Sequence, residues 1–447
     1  MALDFLILYE HVVREYESIT LLGEELRRRG YSCEIRQLLD RKKLKYFTYK
    51  KPKVLVASNM YDNEGINSHV YNNVGKLDRV VNLHWEQMLS DTQEAEDWFN
   101  FKENAKQCVQ TCWGERTRER LLAHGVPSCN APVTGAVMMD FLRPEFTGYY
   151  KDKQTLCKEY GLDGEKPLWL YISSFGYASM KEDEVRELSE MAGTDFTEFA
   201  KVNRESMAET LGWFDRLLTA HPEIQLVYRR HPSEWNSESL HALERKHPGF
   251  HVLFAEGVKQ WITAADTICI WMSTAIAEVY FAGKGCHILR PGPIPHEFDP
   301  VIYLGADYLT SYEELERAAG GGEAAFPIHA EVIEGYFDNA EEPAYRRMAD
   351  LLEDVYKNPP RGLPFGDGYT PKFNWLKFFA LIGVHIFYAL GFDPIRLKKI
   401  APGFAGFASR IYGYVEKAHI SKTQAEEMRR KIRPFVEQIA KEREAEE

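Results

Sequence analysis

The sequence predicts an α/β protein with two successive open parallel sheets, followed by a helical extension. Short β-rich runs alternate with helical patterns in two separate series, and such alternation is typical of parallel sheets with crossover helices. A polar, proline-bearing stretch around 143–166 separates the two series. A chain of 447 residues, 45% of them hydrophobic, is also too long for one ordinary core. We therefore expect two domains plus an appendage.

The first domain is expected over residues 1–145. Its first strand is the apolar run Phe5–Tyr9, and a helix follows over Tyr16–Arg29 with Gly30 as its stop signal. Because no basic region precedes the apolar run and the run is short, we interpret it as a strand and not as a signal peptide. Further strands are predicted at Val54–Ser58, Val80–Leu83 and Cys108–Thr111.

The second domain is expected over residues 165–345. Its helical patterns include Arg204–Ala220 and Ser273–Ala282. Ligands of open α/β sheets bind outside the carboxyl ends of the strands, so the loops that follow the strands are the candidate site. The strands are predicted at Leu168–Ser173, Gln225–Arg229, His251–Phe254, Thr267–Ile270 and Cys286–Leu289.

The composition excludes some classes of partner. A formal net charge of -12 argues against a nucleic-acid-binding surface, because phosphate contacts need clustered Lys and Arg. The seven cysteines are scattered without paired zinc-ligand spacings, which indicates reduced thiols. The sequence therefore predicts a cytoplasmic protein.

A cationic loop follows the predicted strand Gln225–Arg229. It contains Arg230, His231 and Pro232, and two neighbouring arginines can give charge-assisted hydrogen bonds to a phosphate or diphosphate without a metal. The alternative interpretation is a strand end with solvated arginines.

Two further loops are rich in hydroxyl groups. Ser173 and Ser174 follow the first strand of the second domain, where a phosphate-binding turn is expected. Ser273 and Thr274 open the predicted helix Ser273–Ala282, whose free N–H groups and hydroxyls can bind an anion. The alternative is a capping pair that serves only the helix.

Together these elements resemble the GT-B superfamily, which includes Kdo transferases, UDP-N-acetylglucosamine 2-epimerases and bacterial capsule or surface carbohydrate (lipopolysaccharide) biosynthesis proteins. The opening segment 11–18 and the segment 81–87 are similar to the surface carbohydrate branch. Trp271 and Met272 replace the glycines that often precede the Ser/Thr element, and Ala136 departs from the usual TGN form. The matching segments are TG…D at Thr134, Gly135 and Asp140, R-H-P at Arg230, His231 and Pro232, and Ser/Thr-helix-Glu at Ser273, Thr274 and Glu278.

The resemblance implies two Rossmann-like domains with parallel sheets facing a central cleft, plus a helical C-terminal extension. The implied activity is glycosyl transfer from a CMP- or UDP-linked sugar to a surface polysaccharide or lipid-linked acceptor. The sequence has no Asp-x-Asp, so a metal-independent reaction without a cofactor is expected. Glu278 would bind the ribose hydroxyls. The predicted donor-nucleotide-binding residues are Ser173, Ser174, Arg230, His231, Ser273, Thr274 and Glu278.

The first domain would bind the acceptor and supply the base. Inverting transfer needs a group that takes the acceptor's proton, and Glu15 is the first choice, with Glu86 and then His11 as further candidates. Glu17 and His84 are placed on the acceptor side. Each of these carboxylates could instead be a surface residue or a helix-start residue favoured by the helix dipole.

Other functions remain open at this point. The alternatives are a non-hydrolysing UDP-sugar 2-epimerase-like enzyme, a polyol-phosphate transferase and a non-catalytic scaffold of polysaccharide assembly. An epimerase needs no lipid-like acceptor, and a scaffold needs no cationic or acidic residues at strand ends.

The helical extension is expected over 360–447 and contains an aromatic, apolar block at Phe373–Phe392. From Phe378 onward this block has no charged residue, but it reaches only about 22 Å against a hydrocarbon core of about 30 Å. It therefore suits peripheral binding at the inner face of the plasma membrane. The alternative is a buried helix packed across the two domains. The flanking basic residues are Lys372, Lys377, Arg396, Lys398, Lys399 and Arg410.

Overall fold

Two parallel sheets form the framework of the protein. They are built from β1 (Phe5–Tyr9), β2 (Cys33–Gln37), β3 (Val54–Ala57), β4 (Val80–Asn82), β5 (Val109–Gln110), β6 (Leu168–Ile172), β7 (Gln225–Arg229), β8 (Phe250–Leu253), β9 (Thr267–Ile270), β10 (His287–Leu289) and β11 (Tyr308–Leu309). The computed structural model describes residues 3–38, 51–95, 97–231, 234, 237–358, 364–365 and 369–446.

The strand order in both sheets is that of doubly wound folds. The first sheet has the order β2-β1-β3-β4-β5 and the second β11-β10-β9-β6-β7-β8, with parallel pairing throughout. In such sheets the chain reverses its direction of winding at one point, and ligands bind beyond the strand ends there. This switch point lies between β1 and β3 in the first sheet and between β6 and β9 in the second.

Helices connect the strands. Two single π-helical turns, at Val12–Tyr16 and Asn67–Tyr71, follow β1 and precede β4. The α-helices are α1 (Glu17–Arg28), α2 (Asn63–Ile66), α3 (Asn72–Val74), α4 (Asp91–Ala95), α5 (Glu115–Ala123), α6 (Lys153–Glu159), α7 (Glu182–Ala192), α8 (Thr197–Ala220), α9 (Glu238–Lys246), α10 (Val258–Ala264), α11 (Ile276–Phe281), α12 (Tyr312–Ala319), α13 (Ala330–Phe337), α14 (Ala344–Lys357), α15 (Trp375–Ala389), α16 (Pro402–Lys417) and α17 (Lys422–Glu446).

The chain divides into two compact units. Unit 1 comprises 1–87, 99–141 and 335–447, and unit 2 comprises 88–98 and 142–334. The division differs from the sequence-based boundaries in that unit 1 includes the C-terminal helices. The predicted boundaries 1–145, 165–345 and 360–447 stay predictions.

Unit 1 is built around the first sheet, whose central strands are completely buried because both faces are covered. Helix α1 packs against α14 and α17 from the far end of the chain. Arg429 and Arg433 of α17 bind the buried carboxylate of Glu24 at 2.7 and 3.0 Å. The last helices are therefore an integral layer of unit 1.

Unit 2 is built around the second sheet. Helix α8 contributes Trp213, Phe214 and Leu217 to a core that also contains Tyr171 of β6 and Tyr228 of β7. The ring centroids of Tyr171 and Phe214 are 5.0 Å apart in an edge-to-face contact, which adds directional packing to the burial of apolar area. Helix α8 thus fixes the strands whose ends carry the predicted nucleotide-binding residues.

The sequence-based strands are present, and two additional strands lie at sheet edges. Strands β1, β7 and β9 have the predicted bounds, whereas β2 and β11 were not predicted. Strand β2 is polar and only its first residue is buried, and β11 has two residues. Such edge strands lack the continuous apolar run that marks a strand buried on both faces.

The C-terminal helices α15 and α16 pack on each other through Leu381, Val384, Ala408 and Val415. In the described part of the chain, no helix combines the length and apolar character that crossing a membrane requires. None of the seven cysteines forms a disulfide; six are buried and Cys129 is exposed.

Candidate functional site

The switch point of unit 2 carries a buried hydroxyl, that of Ser173 after β6. Its Oγ lies 2.9 Å from the Tyr228 hydroxyl and donates to Glu234 Oε2 at 2.5 Å. The next residue, Ser174, has a buried Oγ that finds no partner in the described part of the chain. Buried hydroxyls are normally satisfied, so this orphaned atom marks a place where a ligand can bind.

Glu234 connects the ends of β6 and β7, and it was missed by the sequence reasoning. Its carboxylate also accepts hydrogen bonds from the Tyr228 hydroxyl at 2.7 Å and from the His231 backbone N–H at 3.3 Å. Burial raises the pKa of Glu234, although its hydrogen bonds oppose this effect. Its position four residues after Arg230 was the one sequence feature that could have indicated a role. However, nothing in the sequence distinguishes a glutamate in a buried hydrogen-bond network from a surface glutamate.

The two arginines at the end of β7 are held by backbone carbonyls. Arg229 donates to the carbonyl of Glu256 at 2.7 Å, and Arg230 donates to the carbonyl of Glu234 at 2.9 Å. Both guanidinium groups lie over the ring of Phe254, at 5.7 and 5.5 Å. Both Nε atoms are buried without a partner among the described residues. These cations are therefore positioned by the fold with donor capacity to spare.

His231 is exposed at the surface of the same loop. Pro232, which completes the R-H-P motif, lies outside the described residues. The backbone N–H of His231 is directed at Glu234, so the loop turns back onto the carboxylate.

The Ser/Thr element after β9 differs from the prediction. The predicted helix Ser273–Ala282 begins only at Ile276 and has six residues, because Thr274 and Ala275 form a preceding turn. The Ser273 backbone N–H donates to the Tyr303 hydroxyl at 2.8 Å, and that hydroxyl donates back to the Ser273 carbonyl at 2.7 Å. The predicted start of this helix at Ser273 is therefore wrong, whereas anion binding by Ser273 and Thr274 stays a prediction.

Thr274 is exposed, and Glu278 lies within α11 and is half-buried. Burial raises the pKa of Glu278, and the charge of Lys259 opposes that shift. A carboxylate in such surroundings is suited to accept hydrogen bonds from neutral hydroxyl groups.

A cavity of about 340 Å³ opens beside these strand ends. This volume lies at the lower end of the range of small-molecule sites, roughly 300–1,000 Å³. Its walls come from the loop after β6, from α8 and from the beginning of α9. The lining includes Phe175, Arg204, Met207, Leu211, Glu234 and Ser237.

The switch point of unit 1 carries a second polar cluster, centred on Glu10 after β1. Glu10 Oε1 accepts hydrogen bonds from Ser58 Oγ at 2.6 Å and Asn59 Nδ2 at 3.4 Å, and it lies 3.3 Å from His69 Nε2. The side-chain Oδ1 of Asn59 in turn accepts a hydrogen bond from the Trp85 backbone N–H at 3.1 Å. The ends of β1, β3 and β4 are therefore joined by one hydrogen-bond network.

Glu10 is held as a carboxylate. Burial alone would raise its pKa, but the hydrogen bond and the charge of His69, with Ser58 and Asn59, lower the pKa to about 2. His69 belongs to the π-helical turn Asn67–Tyr71. Single π-helical turns are frequent at functional sites. Sequence reasoning missed Glu10 and His69, although it did identify the loop that follows Tyr9.

The other π-helical turn, Val12–Tyr16, carries the predicted base Glu15. Glu15 is completely buried and accepts from the Glu10 backbone N–H at 2.9 Å and from Arg14 at 2.8 Å. Burial raises the pKa of Glu15, and Arg14 opposes that shift. Arg14 also forms an ion pair with Glu86, whose side chain is 37% exposed. Arg14 thus joins a buried carboxylate to an accessible one.

The remaining acceptor-side residues have different surroundings. His11 is half-exposed, and burial together with the charge of Arg14 lowers its pKa. Glu17 is the first residue of α1.

His84 is fully buried and has a left-handed φ of 54°. Its ring is in edge-to-face contact with Phe101, with ring centroids 4.8 Å apart. Burial holds the pKa of His84 well below its usual range. The structure gives His84 no exposed surface.

The TG…D segment has a structural explanation. The Asp140 carboxylate accepts hydrogen bonds from the backbone N–H groups of Ala344 and Tyr345 at 2.9 and 2.7 Å, so it caps the beginning of α14. Gly135 has a φ of +78°, and a Cβ placed there would lie 2.4 Å from Nη2 of Arg347 on the same helix. This segment fastens α14 to unit 1.

The predicted residues therefore fall into two groups. Ser173, Ser174, Arg230, His231, Ser273, Thr274 and Glu278 belong to unit 2, whereas His11, Glu15, Glu17, His84 and Glu86 belong to unit 1. Within the described ranges, no three His, Cys, Asp or Glu side chains are grouped so that they could hold a metal ion. Metal independence of the reaction stays a prediction.

Solved structures identify the fold. A UDP-GlcNAc 2-epimerase from Methanocaldococcus jannaschii matches with a TM-score of 0.51 and 11% identity, over 79% of this chain and 100% of that one. The chain has a GT-B-like fold. A Neisseria meningitidis UDP-GlcNAc 2-epimerase (TM-score 0.47, 11% identity, 80% and 100% covered) and a Rickettsia africae glycosyltransferase (0.42, 13%, 80% and 99%) are also similar.

No protein-family model matches the sequence, and no curated protein matches it significantly. At these identities the structural likeness shows the GT-B-like fold alone. The resemblance to capsule, lipopolysaccharide and Kdo-transferase proteins stays a prediction from the sequence motifs.

Proposed function

We propose that the chain is a glycosyltransferase that binds a nucleotide-activated sugar on unit 2. The observation that carries the proposal is the gathering of unsatisfied polar groups at the carboxyl ends of the neighbouring strands β6 and β7. The buried Oγ of Ser174 and the buried Nε atoms of Arg229 and Arg230 have no partner among the described residues. Hydroxyl and guanidinium donors at strand ends are suited to phosphate oxygens.

The residues of the proposed donor site would bind different parts of the nucleotide. Arg230 and Ser174 would bind the phosphates, and Glu278 would accept hydrogen bonds from the ribose hydroxyls. The neighbouring cavity has an apolar wall of Phe175 and Leu211, which suits a nucleobase such as cytosine or uracil. The backbone N–H of Ser273 would not contact the donor, because it already donates to the Tyr303 hydroxyl. Ser273 would instead hold the turn that precedes α11 in place.

The unit 1 switch point would serve the acceptor. Glu86 is the better base on geometric grounds, because it is exposed while Glu15 is buried. Glu86 would take the proton of the acceptor hydroxyl as the glycosidic bond forms, and the nucleotide would leave the anomeric carbon. Glu15 would position Arg14, which holds Glu86. The acceptor class we propose is a surface polysaccharide or a lipid-linked glycan.

A second candidate function is epimerisation of the nucleotide-linked sugar. The Methanocaldococcus protein whose fold this chain shares is a UDP-GlcNAc 2-epimerase, and it matches along its whole length. An epimerase inverts one carbon by removing and returning a proton, and it releases no nucleotide in its net reaction.

One experiment separates the two candidates. The protein is incubated in deuterated water with CMP-, UDP- and GDP-linked sugars, with and without polysaccharide and lipid-linked acceptors, and in the presence or absence of EDTA. Acceptor-dependent release of nucleotide, unaffected by EDTA, supports glycosyl transfer. Deuterium at the sugar's C2 without nucleotide release supports epimerisation. No change in any nucleotide sugar contradicts both.

A further inference from the structure

Exposed apolar side chains are concentrated in one part of unit 1. Of the thirteen exposed large hydrophobic residues in the described chain, ten lie between 375 and 414. They are Trp375, Leu376, Phe379, Ile386, Leu390, Ile395, Ile400, Phe404, Phe407 and Tyr414. We call the segment 375–417 the C-terminal hairpin; it consists of α15, a connector and α16. The sequence alone singled out the apolar block Phe373–Phe392 and the flanking basic residues, but not the apolar side chains of α16.

Each helix of the hairpin has two apolar faces. The inward faces contact each other through Leu381 and Val384 of α15 and Ala408 and Val415 of α16. The outward face of α15 presents residues spaced by three and seven positions, Leu376, Phe379 and Ile386, which fall on one side of a helix, and the exposed Leu390 directly follows the helix. A helix pair that serves only as a structural brace would show polar residues on its outward face.

The hairpin is tied to unit 1 at its exit. The Tyr9 hydroxyl donates a buried hydrogen bond of 3.0 Å to the carbonyl of Ala418, directly after α16. Helix α17, which follows, is bound to Glu24 of α1 by Arg429 and Arg433. The exposed apolar surface is therefore held at a fixed place beside the first sheet.

The charge of the hairpin is opposite to that of the chain. Residues 375–417 contain six basic and two acidic residues, whereas the whole chain has a net charge of -12. Arg396, Lys398 and Lys399 lie in the connector, next to the exposed Ile395 and Ile400. The hairpin also contains ten aromatic residues. Exposed apolar and aromatic side chains with adjacent cations match the interface of a bilayer that contains anionic lipid.

We propose that the C-terminal hairpin, through both helices and its basic connector, is a docking surface for an anionic phospholipid bilayer. The apolar side chains enter the headgroup region, and the connector lysines contact lipid phosphates. A second copy of the chain fits less well, because a dimer formed through this surface would bring two basic connectors into one interface without added acidic partners. This docking is independent of the proposed function, since it requires no nucleotide sugar.

Vesicle sedimentation tests the proposal with the full-length chain. The probes are vesicles of phosphatidylcholine alone and of phosphatidylcholine with about one third phosphatidylglycerol. We expect the wild type to bind the anionic vesicles and to bind the neutral ones much less. Absence of binding to anionic vesicles would overturn the proposal, as would a concentration-dependent dimer that the hairpin substitutions dissociate.

Substitutions locate the surface. Leu376→Glu combined with Ile400→Glu changes the two most exposed large hydrophobic residues of the hairpin, 82% and 83% exposed, and should reduce binding at least tenfold. Leu304→Glu is the matched control, because Leu304 is 68% exposed but belongs to unit 2. Equal loss in both variants contradicts the assignment. Circular dichroism and nucleotide-induced thermal shifts show whether the variants remain folded.

The basic connector is tested separately. Lys398→Glu with Lys399→Glu should weaken binding to anionic vesicles by roughly fivefold or more per residue and should leave the weak binding to neutral vesicles unchanged. Lys201→Glu, at an exposed position on α8 of unit 2, is the control. If the connector variant and Lys201→Glu behave alike, lipid charge is not recognised by the hairpin.

Discussion

The hydroxyl of Tyr9 donates a buried hydrogen bond to the carbonyl of Ala418, 3.0 Å away. Tyr9 ends the first strand, directly before the Glu10 network, and Ala418 directly follows the C-terminal hairpin. The strand that leads into the polar cluster of unit 1 and the end of the hairpin are thus joined by one hydrogen bond from a side chain to the backbone. An acceptor attached to lipid would meet both features in the same unit, which connects the proposed function with the proposed docking surface.

Arg230→Ala should weaken nucleotide binding by about 1.5–3 kcal/mol, the usual worth of a hydrogen bond to a charged group. The reason is that the guanidinium group has donors beyond the one that binds the Glu234 carbonyl. Isothermal titration with CMP, CDP and UDP measures the effect. Arg245→Ala, at an exposed position on α9 that pairs with Glu238, is the control. Unchanged affinity in the Arg230 variant removes this loop from the donor site.

Glu86→Gln should reduce turnover by about 100-fold or more while nucleotide affinity stays the same, because an amide cannot accept the acceptor's proton. Initial rates with saturating donor give the turnover. Glu119→Gln changes an exposed glutamate of α5 in the same unit and should have no effect. Full turnover in both Glu86→Gln and Glu15→Gln would exclude a carboxylate base from this cluster.

Gly135→Ala should destabilise unit 1 more than Gly30→Ala does. Both glycines have positive φ, so both variants should carry a left-handed strain of about 1–2 kcal/mol. Only at Gly135 does the new Cβ meet Arg347 and Ala344, at 2.4 and 2.9 Å, whereas nothing lies within 4 Å at Gly30. Urea unfolding monitored by intrinsic fluorescence compares the free energies. Equal losses would show that α14 moves aside without cost.

Glu10 and Glu15 should influence acid stability in opposite directions. The folded pKa of Glu10, about 2, is below its ordinary value of 4.5, so its stabilising contribution is present above about pH 4.5 and is lost as the pH falls toward 2. The folded pKa of Glu15 is raised, so its contribution is present below about pH 4.5 and is lost as the pH rises through the folded pKa.

Thermal unfolding at a series of pH values tests this pair. Glu10→Gln should flatten the loss of stability on acidification between about pH 4.5 and 2. Glu15→Gln should instead act above about pH 4.5, where it should abolish the loss of stability that accompanies ionisation of the buried Glu15 as the pH rises. The idea fails if both substitutions shift the profile in the same direction.

The fold was largely predictable because buried parallel strands are continuous apolar runs. Strands such as β1 and β7 were located with their bounds, whereas the polar edge strand β2 was not. The candidate site was less predictable. Glu10 meets His69 through a π-helical turn 59 residues away, and Glu234 turns back onto Ser173; neither contact has a local sequence pattern. Ser273 was assigned to a helix because local propensity does not reveal its bond to Tyr303.

The order in which the chain is synthesised sets the order in which the units can be completed. Unit 2 ends at Glu334, whereas unit 1 needs the stretch from Gly335 onward. On the ribosome, all residues of unit 2 are therefore synthesised before α14 and α17, the two helices that cover the apolar side of α1. Domains fold as units during synthesis, so the nascent chain carries one finished unit and one with an uncovered apolar face. This interval is when a holding chaperone would protect the chain from aggregation.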